Sequence, residues 1–392
     1  MQTNKLYEER RMRIAVLHSG DLEEVSLGGV DRYIKSLIRF FDNYEITVYG
    51  TTVVGKEELG KPIEREYYGK KYTFVAISDN KRYPLSLFYM IKECKWVNEL
   101  GKYDCIYAQR TEYSIPFLFS KNKNKLIEII HGSSKYSEAG FGKKLAYIHL
   151  KMEKLAISIA RYTFVILNRE EFGVPYYKNK YPKYKDRILY GKNPIDTRIY
   201  FKQNREELRE KYSFDKNDII VIYSGRIENN PKRVMLLPYI CEKLLDRGIQ
   251  IKFLIVGDGA DKKKLEAEVD KLKLQSNFAF TGYVDNPYVI AEYNNLADIA
   301  INISMFEGTC TSVLESIACG IPVVSTDVGD IHECIFDNFN GYIIKNNECT
   351  IVDEATCAIV RIIQKSIKMN NIFEKYSGEY VIKELKQFIG KL

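Results

Sequence analysis

The strongest constraint on this chain is a sequence pattern that occurs twice along its 392 residues. Short apolar runs of strand length alternate with segments whose apolar residues recur at helical spacing, and this alternation is typical of parallel sheets covered by helices. The first series of strand-like runs covers residues 14–17, 46–49, 73–77, 105–108, 126–130 and 163–167. The second series covers residues 219–223, 251–256, 278–280, 299–303, 323–325 and 342–344. We therefore predict an α/β fold with two facing Rossmann-like domains.

The best linker between the two series is the passage 191–205, which contains Asn193-Pro194 and few apolar residues. We predict an N-terminal domain at residues 1–192 and a C-terminal domain at residues 193–377. A last helix at residues 378–392 is expected to pack back on the N-terminal domain. Ligands of open α/β sheets bind beyond the carboxyl ends of the strands, so an interdomain cleft is the expected site.

Composition excludes several classes of protein. No apolar run approaches the roughly 20 residues that a bilayer span needs, and residues 1–11 are too polar and charged for a secretory signal. The eight cysteines form no Cys-x-x-Cys pair, which argues against zinc sites and a disulfide framework. We predict a cytoplasmic protein.

One segment is strongly basic: residues 143–192 contain twelve Lys or Arg and four Asp or Glu. An apolar stripe at helical spacing runs through its first part and consists of Leu145, Ile148, Met152, Leu155 and Ile159. Two interpretations stay open, namely a core-facing helix with a solvated basic edge and an amphipathic helix that rests on the anionic inner face of a membrane. No aromatic-basic RNA motif or recognition helix stands out, so we expect no nucleic-acid partner.

Two carboxylates, Glu307 and Glu315, are separated by seven residues where a strand is predicted to turn into a helix. Thr309 or Thr311 is expected to cap that helix. The unpaired NH groups of residues 310–313 and the helix dipole then form an anion site. A diphosphate fits there, while the two carboxylates accept hydrogen bonds from sugar hydroxyls.

Further motifs occur in a defined order along the chain. They are Gly28-Gly29-Val30, His131-Gly132, Ser224-Gly225-Arg226 with Lys232, Val256-Gly257-Asp258-Gly259, Phe280-Thr281-Gly282-Tyr283-Val284 and Ala318-Cys319-Gly320-Ile321-Pro322-Val323-Val324. With these motifs the chain resembles the retaining glycosyltransferases of the GT-B fold, specifically the large GT4 family, also called glycosyl transferases group 1. The resemblance spans nearly the whole chain and is densest at residues 223–341.

The resemblance implies a transferase that moves a sugar from a nucleotide diphosphate sugar to a saccharide or a lipid-linked saccharide. UDP-sugars are favoured over GDP-sugars as donors, and the expected setting is cell-envelope or exopolysaccharide biosynthesis. The N-terminal domain would then bind the acceptor and the C-terminal domain the nucleotide sugar.

Four catalytic residues follow from the resemblance. Arg226 and Lys232 would stabilise the negative charge on the departing diphosphate, Glu307 would orient the transferred sugar, and His131 would contact its hydroxyls. The family commonly places the lysine five residues after the arginine, whereas here the spacing is six. Arg233 therefore stays open as a competitor for the role of Lys232.

The resemblance also implies a set of residues that bind the donor. Gly28 and Gly29, which have no Cβ, would let the backbone approach the phosphate, Glu315 would hold the ribose hydroxyls, and the backbone around residues 283–284 resembles a base-binding turn. The full set is Gly28, Gly29, Gly257, Tyr283, Val284, Gly308, Thr309, Cys310, Thr311, Ser312 and Glu315.

No Asp-x-Asp motif occurs in the chain, so we predict activity without a metal ion or other cofactor. The first-domain loops offer no obvious nucleophile, which favours same-face substitution over a covalent intermediate. Two alternatives stay open: a nucleotide-sugar 2-epimerase of the same fold and a non-catalytic sugar-nucleotide-binding subunit. An NAD dehydrogenase is disfavoured because no Gly-x-Gly-x-x-Gly follows the first strand.

Overall fold

The computed structural model describes residues 11–23, 29–41, 44–52, 58–79, 85–132, 134–365, 367 and 373–390. Contacts within the chain define two compact units, Met1–Lys192 with Ile382–Leu392 and Asn193–Val381. Each unit contains one sheet with helices between its strands. The predicted α/β class with two largely parallel sheets is confirmed. The predicted division of labour between the two halves stays a prediction.

The first unit is built on an eight-stranded sheet. Its strands are β1 (Met12–Leu17), β2 (Tyr44–Thr51), β3 (Pro62–Tyr67), β4 (Lys70–Ser78), β5 (Cys105–Ala108), β6 (Leu126–Ile130), β7 (Tyr162–Val165) and β8 (Ile188–Tyr190). Its α-helices are α1 (Gly29–Phe40), α2 (Leu85–Glu93), α3 (Ser134–Ile159) and α4 (Val174–Lys180), with short 3-10 turns at Glu99–Lys102, Thr111–Phe117, Lys121–Lys125 and Pro182–Arg187. The strand order is β3-β4-β2-β1-β5-β6-β7-β8, and every pair is parallel except β3 with β4.

The second unit is built on a six-stranded sheet in which all neighbours are parallel. Its strands are β9 (Ile219–Ser224), β10 (Ile251–Val256), β11 (Phe278–Gly282), β12 (Ile299–Asn302), β13 (Val323–Thr326) and β14 (Gly341–Ile344), in the order β11-β10-β9-β12-β13-β14. Its helices are α5 (Arg205–Lys211), α6 (Asn229–Lys232), α7 (Leu237–Asp246), α8 (Lys262–Lys271), α9 (Pro287–Leu296), α10 (Thr311–Ala318) and α11 (Ile351–Lys365). Short 3-10 turns lie at Val234–Leu236, Gln275–Asn277, Ile331–Glu333 and Phe373–Tyr376. All six predicted strands of this unit are present.

The last helix, α12 (Gly378–Ile389), crosses the division between the units, which falls between Val381 and Ile382. Its second half belongs to the first unit. Lys192 Nζ lies 2.9 Å from a carboxylate oxygen of Glu384, and the ring of Phe388 lies 5.5 Å from the ring of Tyr162. An ion pair and an aromatic contact therefore fix the end of the chain.

The edge strand β3 was not predicted, because its sequence is polar. Only Arg65 is buried in it. The Arg65 guanidinium lies 2.5 Å from Asp21, which follows β1, and 3.8 Å from the ring centre of Phe74. Both charged side chains are 5% exposed. Since breaking a buried ion pair leaves an uncompensated charge, this contact ties the segment after β1 to the edge of the sheet.

Helix α3 carries the apolar stripe for which two interpretations were open. Ile159 is 6% exposed, as a core-facing stripe requires, whereas Ile148 is 53% exposed. The side chain of Leu145 lies outside the described residues. In the middle of the helix, the buried residue is Glu153, which does not belong to the stripe and is 1% exposed. No described helix is long and apolar enough to span a bilayer, and contact of this segment with a membrane surface stays a prediction.

Glu128 and Glu153 place two interacting carboxyl groups in the interior of the first unit. Glu128 on β6 is fully buried, and one of its oxygens accepts a hydrogen bond from Thr163 Oγ1 at 3.3 Å. Glu153 on α3 accepts from Lys180 at 2.9 Å and from Tyr181 at 2.7 Å. Burial, and to a lesser extent the charge of Glu153, raises the pKa of Glu128 to about 8. Glu128 is therefore protonated at neutral pH.

Glu128→Gln is expected to stabilise the chain by an increment that grows as the pH rises from about 5 to about 8. The carboxyl of the unfolded chain titrates near its ordinary pKa of 4.5, whereas the folded chain keeps the proton up to about 8. The native chain therefore loses about 1.4 kcal/mol of stability for each pH unit in this window, and the neutral glutamine does not. Thermal midpoints measured across this pH range check the expectation.

The exposed carboxylate of Glu45 on β2 provides the control. Glu45→Gln removes a carboxylate that lies in water and should change the midpoint only slightly. Parallel curves for the native chain and Glu128→Gln would show that Glu128 does not retain its proton in the folded state.

Candidate active site

Three loops meet at the carboxyl edge of the second sheet, because β10, β9 and β12 are parallel neighbours. Arg226 lies two residues after β9, Gly257 directly follows β10, and Glu307 lies five residues after β12. Ligands of such sheets bind beyond this edge. The topology therefore brings together residues that are far apart in sequence.

Lys232 and Glu307 form an ion pair at this edge. Lys232 Nζ donates to Oε1 of Glu307, and the two side chains are only 18% and 17% exposed. A backbone hydrogen bond of 2.8 Å from Met305 N to Pro231 O joins the loops that bear them. Because the pair is partly withdrawn from water, its attraction is less screened than that of a surface pair.

Arg226 forms a separate ion pair with Glu228. Its Nη1 lies 2.8 Å from Glu228, and its side chain is 40% exposed. The hydroxyl of buried Tyr223 donates to the Arg226 carbonyl at 2.6 Å, which fixes the backbone at this point. Arg226 is thus an accessible cation on a rigid turn.

Arg233, the competitor of Lys232, is a structural residue. Its side chain is buried, and its Nη1 donates to the carbonyls of Ile303 and Ser304 and to Asn346 Oδ1 at 2.6 Å. Burial lowers the pKa of Arg233. The guanidinium therefore clamps the end of β12, and Lys232 is the cation that reaches Glu307.

Gly257 is required by a close backbone approach. A Cβ at this position would lie 2.0 Å from the carbonyl oxygen of Gly225, and the φ angle of 141° is one that favours glycine. Hydrogen bonds of 3.0 Å run from Gly225 N to Val256 O and from Gly257 N to Gly282 O. The loops after β9, β10 and β11 are therefore locked together by their backbones.

The predicted cap of the next helix is wrong. Helix α10 begins at Thr311 with Cys310 at the N-cap, and the Cys310 side chain makes no capping hydrogen bond. The Cys310 thiol is instead buried, lies 3.6 Å from Asn302 Nδ2, and has its pKa raised by burial. Thr311 and Ser312 occupy the first two helical positions. The first NH groups of the helix have no partner within it, as an anion site needs.

A second close approach supports the start of α10. Gly329 has a φ angle of 49°, and a Cβ there would lie 1.9 Å from the carbonyl oxygen of Gly308. The loop after β13 therefore packs directly against the loop that contains Glu307, Gly308 and Thr309. Sequence reasoning missed Gly329 as a site-forming residue, although the Gly-Asp turn after a predicted strand was a signal for it.

The remaining residues of this unit that are predicted to bind the donor lie near the same edge. Glu315 is in the second turn of α10 with its side chain 3% exposed. Tyr283 and Val284 follow β11 directly and are half-buried. The Tyr283 hydroxyl lies 3.1 Å from Asp285 Oδ1. Their predicted contacts with a nucleotide stay predictions.

In the first unit, His131 follows β6 and lies among buried groups. Its Nε2 is 2.7 Å from Gln109 Oε1, and its ring packs edge-on against Tyr33 at 5.2 Å. Burial lowers the pKa of His131 to about 3, with smaller contributions from His18 and Arg110. The imidazole is therefore neutral at physiological pH, and any role in sugar contact is that of a neutral ring.

Of the two glycines predicted in the first loop, Gly29 begins α1 with open space where a Cβ would lie. Gly28 lies outside the described residues. Sequence reasoning left His18 without a role. Its Nε2 lies 2.6 Å from Asp31 in the first turn of α1, and the side chain is 11% exposed. This pair joins the end of β1 to α1.

A cavity of about 1440 Å³ in the second unit is separate from the site. It is lined by Ile219 and Ile299, the first residues of β9 and β12, so it lies at the opposite, amino edge of the sheet. No predicted site residue lines it. Among the described residues, no group of three or more His, Cys, Asp or Glu side chains is placed to hold a metal ion.

The chain is similar in sequence to known glycosyltransferases. A family described as glycosyl transferases group 1 matches residues 204–378. An uncharacterised glycosyltransferase of Methanocaldococcus jannaschii is 26% identical over 396 residues, which cover 93% of this chain and 95% of that protein. The comparisons thus identify a glycosyltransferase domain at residues 204–378. The predicted resemblance is confirmed.

Two further proteins are similar to this chain. The N-acetyl-alpha-D-glucosaminyl L-malate synthase of Bacillus anthracis is 26% identical over 197 residues, which are 49% of this chain and 50% of that enzyme. The chain therefore spans about half the length of this relative. The structure of Anabaena HepE in complex with UDP-glucose has a TM-score of 0.70 at 15% identity and covers 97% of this chain and all of the other. This likeness shows the shared fold.

Alanine substitutions at Arg226 and Arg233 are expected to destabilise the chain to very different extents. Arg233→Ala leaves buried carbonyls without a donor and should cost on the order of 3 kcal/mol. Arg226→Ala removes a largely exposed ion pair and should cost less than about 1 kcal/mol. Thermal unfolding of both variants checks this. A stable Arg233→Ala variant would mean that the guanidinium is not a structural clamp.

Proposed function

We propose that this chain is a retaining glycosyltransferase that moves a sugar from a nucleotide diphosphate sugar to a saccharide or lipid-linked saccharide. The observation that carries the proposal is the placement of Arg226, the Lys232–Glu307 pair and the start of α10 at one sheet edge. Cell-envelope or exopolysaccharide biosynthesis is the proposed setting.

The chemistry of the leaving group explains why positive charge is needed at this edge. When the bond from the anomeric carbon to the phosphate breaks, negative charge grows on the phosphate oxygens, and a catalyst must stabilise it more in the transition state than in the ground state. Arg226 and Lys232 supply fixed positive charge. The free NH groups of α10 supply hydrogen-bond donors and the positive end of a helix dipole.

Glu307 is proposed to orient the hydroxyls of the transferred sugar. The ammonium of Lys232 binds one of its oxygens, which draws charge from the carboxylate and makes it a poor nucleophile. This favours same-face substitution, in which the departing diphosphate accepts the proton of the attacking hydroxyl. The α-linkage in the name of the Bacillus relative agrees with retention from an α-linked nucleotide sugar.

UDP-sugars are the proposed donors, with GDP-sugars second. The occupancy of HepE by UDP-glucose supports this order. Glu315 is proposed to bind the ribose and the turn at residues 283–284 the base. Thermal shifts with a panel of UDP-, GDP- and ADP-sugars identify the donor, because a ligand that binds the folded state raises its unfolding midpoint.

Glu307→Gln is expected to lower donor turnover at least about 100-fold while thermal stability stays near that of the native chain. Glutamine keeps the size of the side chain but loses the charge that holds Lys232 and the full set of acceptor oxygens for sugar hydroxyls. Turnover is measured as nucleotide release from the donor that the thermal shifts identify. Glu348→Gln, an exposed carboxylate in the same unit, is the control and should retain native turnover. Native turnover by Glu307→Gln would remove Glu307 from the mechanism.

Activity is expected to be the same in EDTA and in magnesium. The proposed reason is that Arg226, Lys232 and the α10 amide groups provide the charge that a divalent ion provides in other glycosyltransferases. Initial rates in the two buffers check this expectation. A rate that requires magnesium would contradict the metal-independent part of the proposal and leave the transfer reaction itself intact.

A further inference from the structure

The two oxygens of Glu307 have different surroundings. Oε1 accepts from Lys232 Nζ and lies 2.7 Å from Ser304 Oγ. Within the part of the chain that the structure describes, Oε2 makes no hydrogen bond. One oxygen is therefore held by the protein, and the other is available to a ligand.

Ser304 connects Glu307 to the interior of the second unit. Its side chain is fully buried, and its Oγ lies 2.7 Å from both the Glu307 carboxylate and the side-chain amide of Asn302. A hydroxyl has one proton to donate. The two acceptors beside it are the Glu307 carboxylate and Asn302 Oδ1, and the charged carboxylate is the stronger, so the proton points to Glu307. Asn302 Nδ2 donates to the Ser325 hydroxyl on its other side.

The amide of Asn302 is itself fixed by buried groups. It lies 3.0 Å from the Ser325 hydroxyl on the neighbouring strand β13. The Thr326 hydroxyl on the same strand donates to the Ser304 carbonyl at 2.7 Å. Asn302 is 6% exposed, and Ser325 and Thr326 are fully buried. Hydrogen bonds in such an interior are stronger than in water, and a satisfied network makes its members rigid.

We propose that Ser304, backed by Asn302, is a positioning residue that fixes Oε1 of Glu307 so that Oε2 alone faces the transferred sugar. Lys232 limits the position of the same oxygen from the solvent side, but its long side chain is flexible and cannot set the plane of the carboxylate by itself. The buried hydroxyl sets that plane. This inference rests on the proposed function, because it assigns a source to the orientation of Glu307.

Ser304→Ala tests the inference directly. Removal of the hydroxyl lets the carboxylate rotate about its last bond while Lys232 still neutralises it, and misplacement of a catalytic group by about 1 Å can lower a rate 100-fold. We expect kcat for donor turnover to fall about 10- to 100-fold, while the KM for the donor and the affinity for UDP change less than about 3-fold. The donor is the nucleotide sugar identified by the thermal shifts.

Two further variants separate positioning from loss of structure. Ser316→Ala also removes the hydroxyl of a buried serine, which there bonds Asn294 at 2.6 Å, and should retain the native kcat. Asn302→Asp places a second carboxylate beside Ser304, which competes with Glu307 for the single hydroxyl proton, and should lower kcat as Ser304→Ala does. It keeps the test decisive if Ser304→Ala does not fold. In a Glu307→Gln background, Ser304→Ala should add little further loss, because both changes act on one carboxylate.

The outcomes are distinct. A native kcat for Ser304→Ala, or an equal fall for Ser316→Ala, would overturn the positioning role and leave the transferase proposal standing. Additive losses in the double variant would also overturn it. If the native chain turned over no nucleotide sugar in the panel, the proposed function would fail and this inference with it.

Discussion

The parallel pairing of β9 with β10 and β12 is the constraint on which the site depends. Parallel strands run in the same direction, so the segments that follow them all leave the sheet at its carboxyl edge. Arg226, Gly257 and Glu307 occupy those segments. The backbone of the sheet thus brings residues from distant parts of the sequence to one edge. The Lys232–Glu307 pair and the Gly225–Gly257 contact then fix the arrangement.

Most of the fold could be predicted because buried parallel strands are nearly continuous apolar runs, which are visible in a sequence. Residues 219–223 and 251–256 are of this kind and became β9 and β10. The edge strand β3 could not be predicted in this way, because it buries one arginine instead of an apolar face. Its partner Asp21 is 44 residues away in sequence, so the local sequence pattern around either residue does not indicate the contact.

The site was predictable as a set of residue types but not as a set of contacts. Lys232 and Arg233 carry the same charge and are adjacent, so only their surroundings distinguish the cation that reaches Glu307 from the one that clamps β12. Helix propensity favoured a threonine cap, yet Cys310 occupies that position because its thiol packs in the core beside Asn302. Ser304 gave no signal at all, since a single serine between apolar residues has no periodicity to read.

The contact between Gly308 and Gly329 couples two loops that different parts of the sequence encode. A side chain at Gly329 would displace the loop that contains Gly308, and with it the start of α10. A change of ligand preference at this edge is therefore expected to come from exchange of side chains, while the backbone of the two loops stays a common frame.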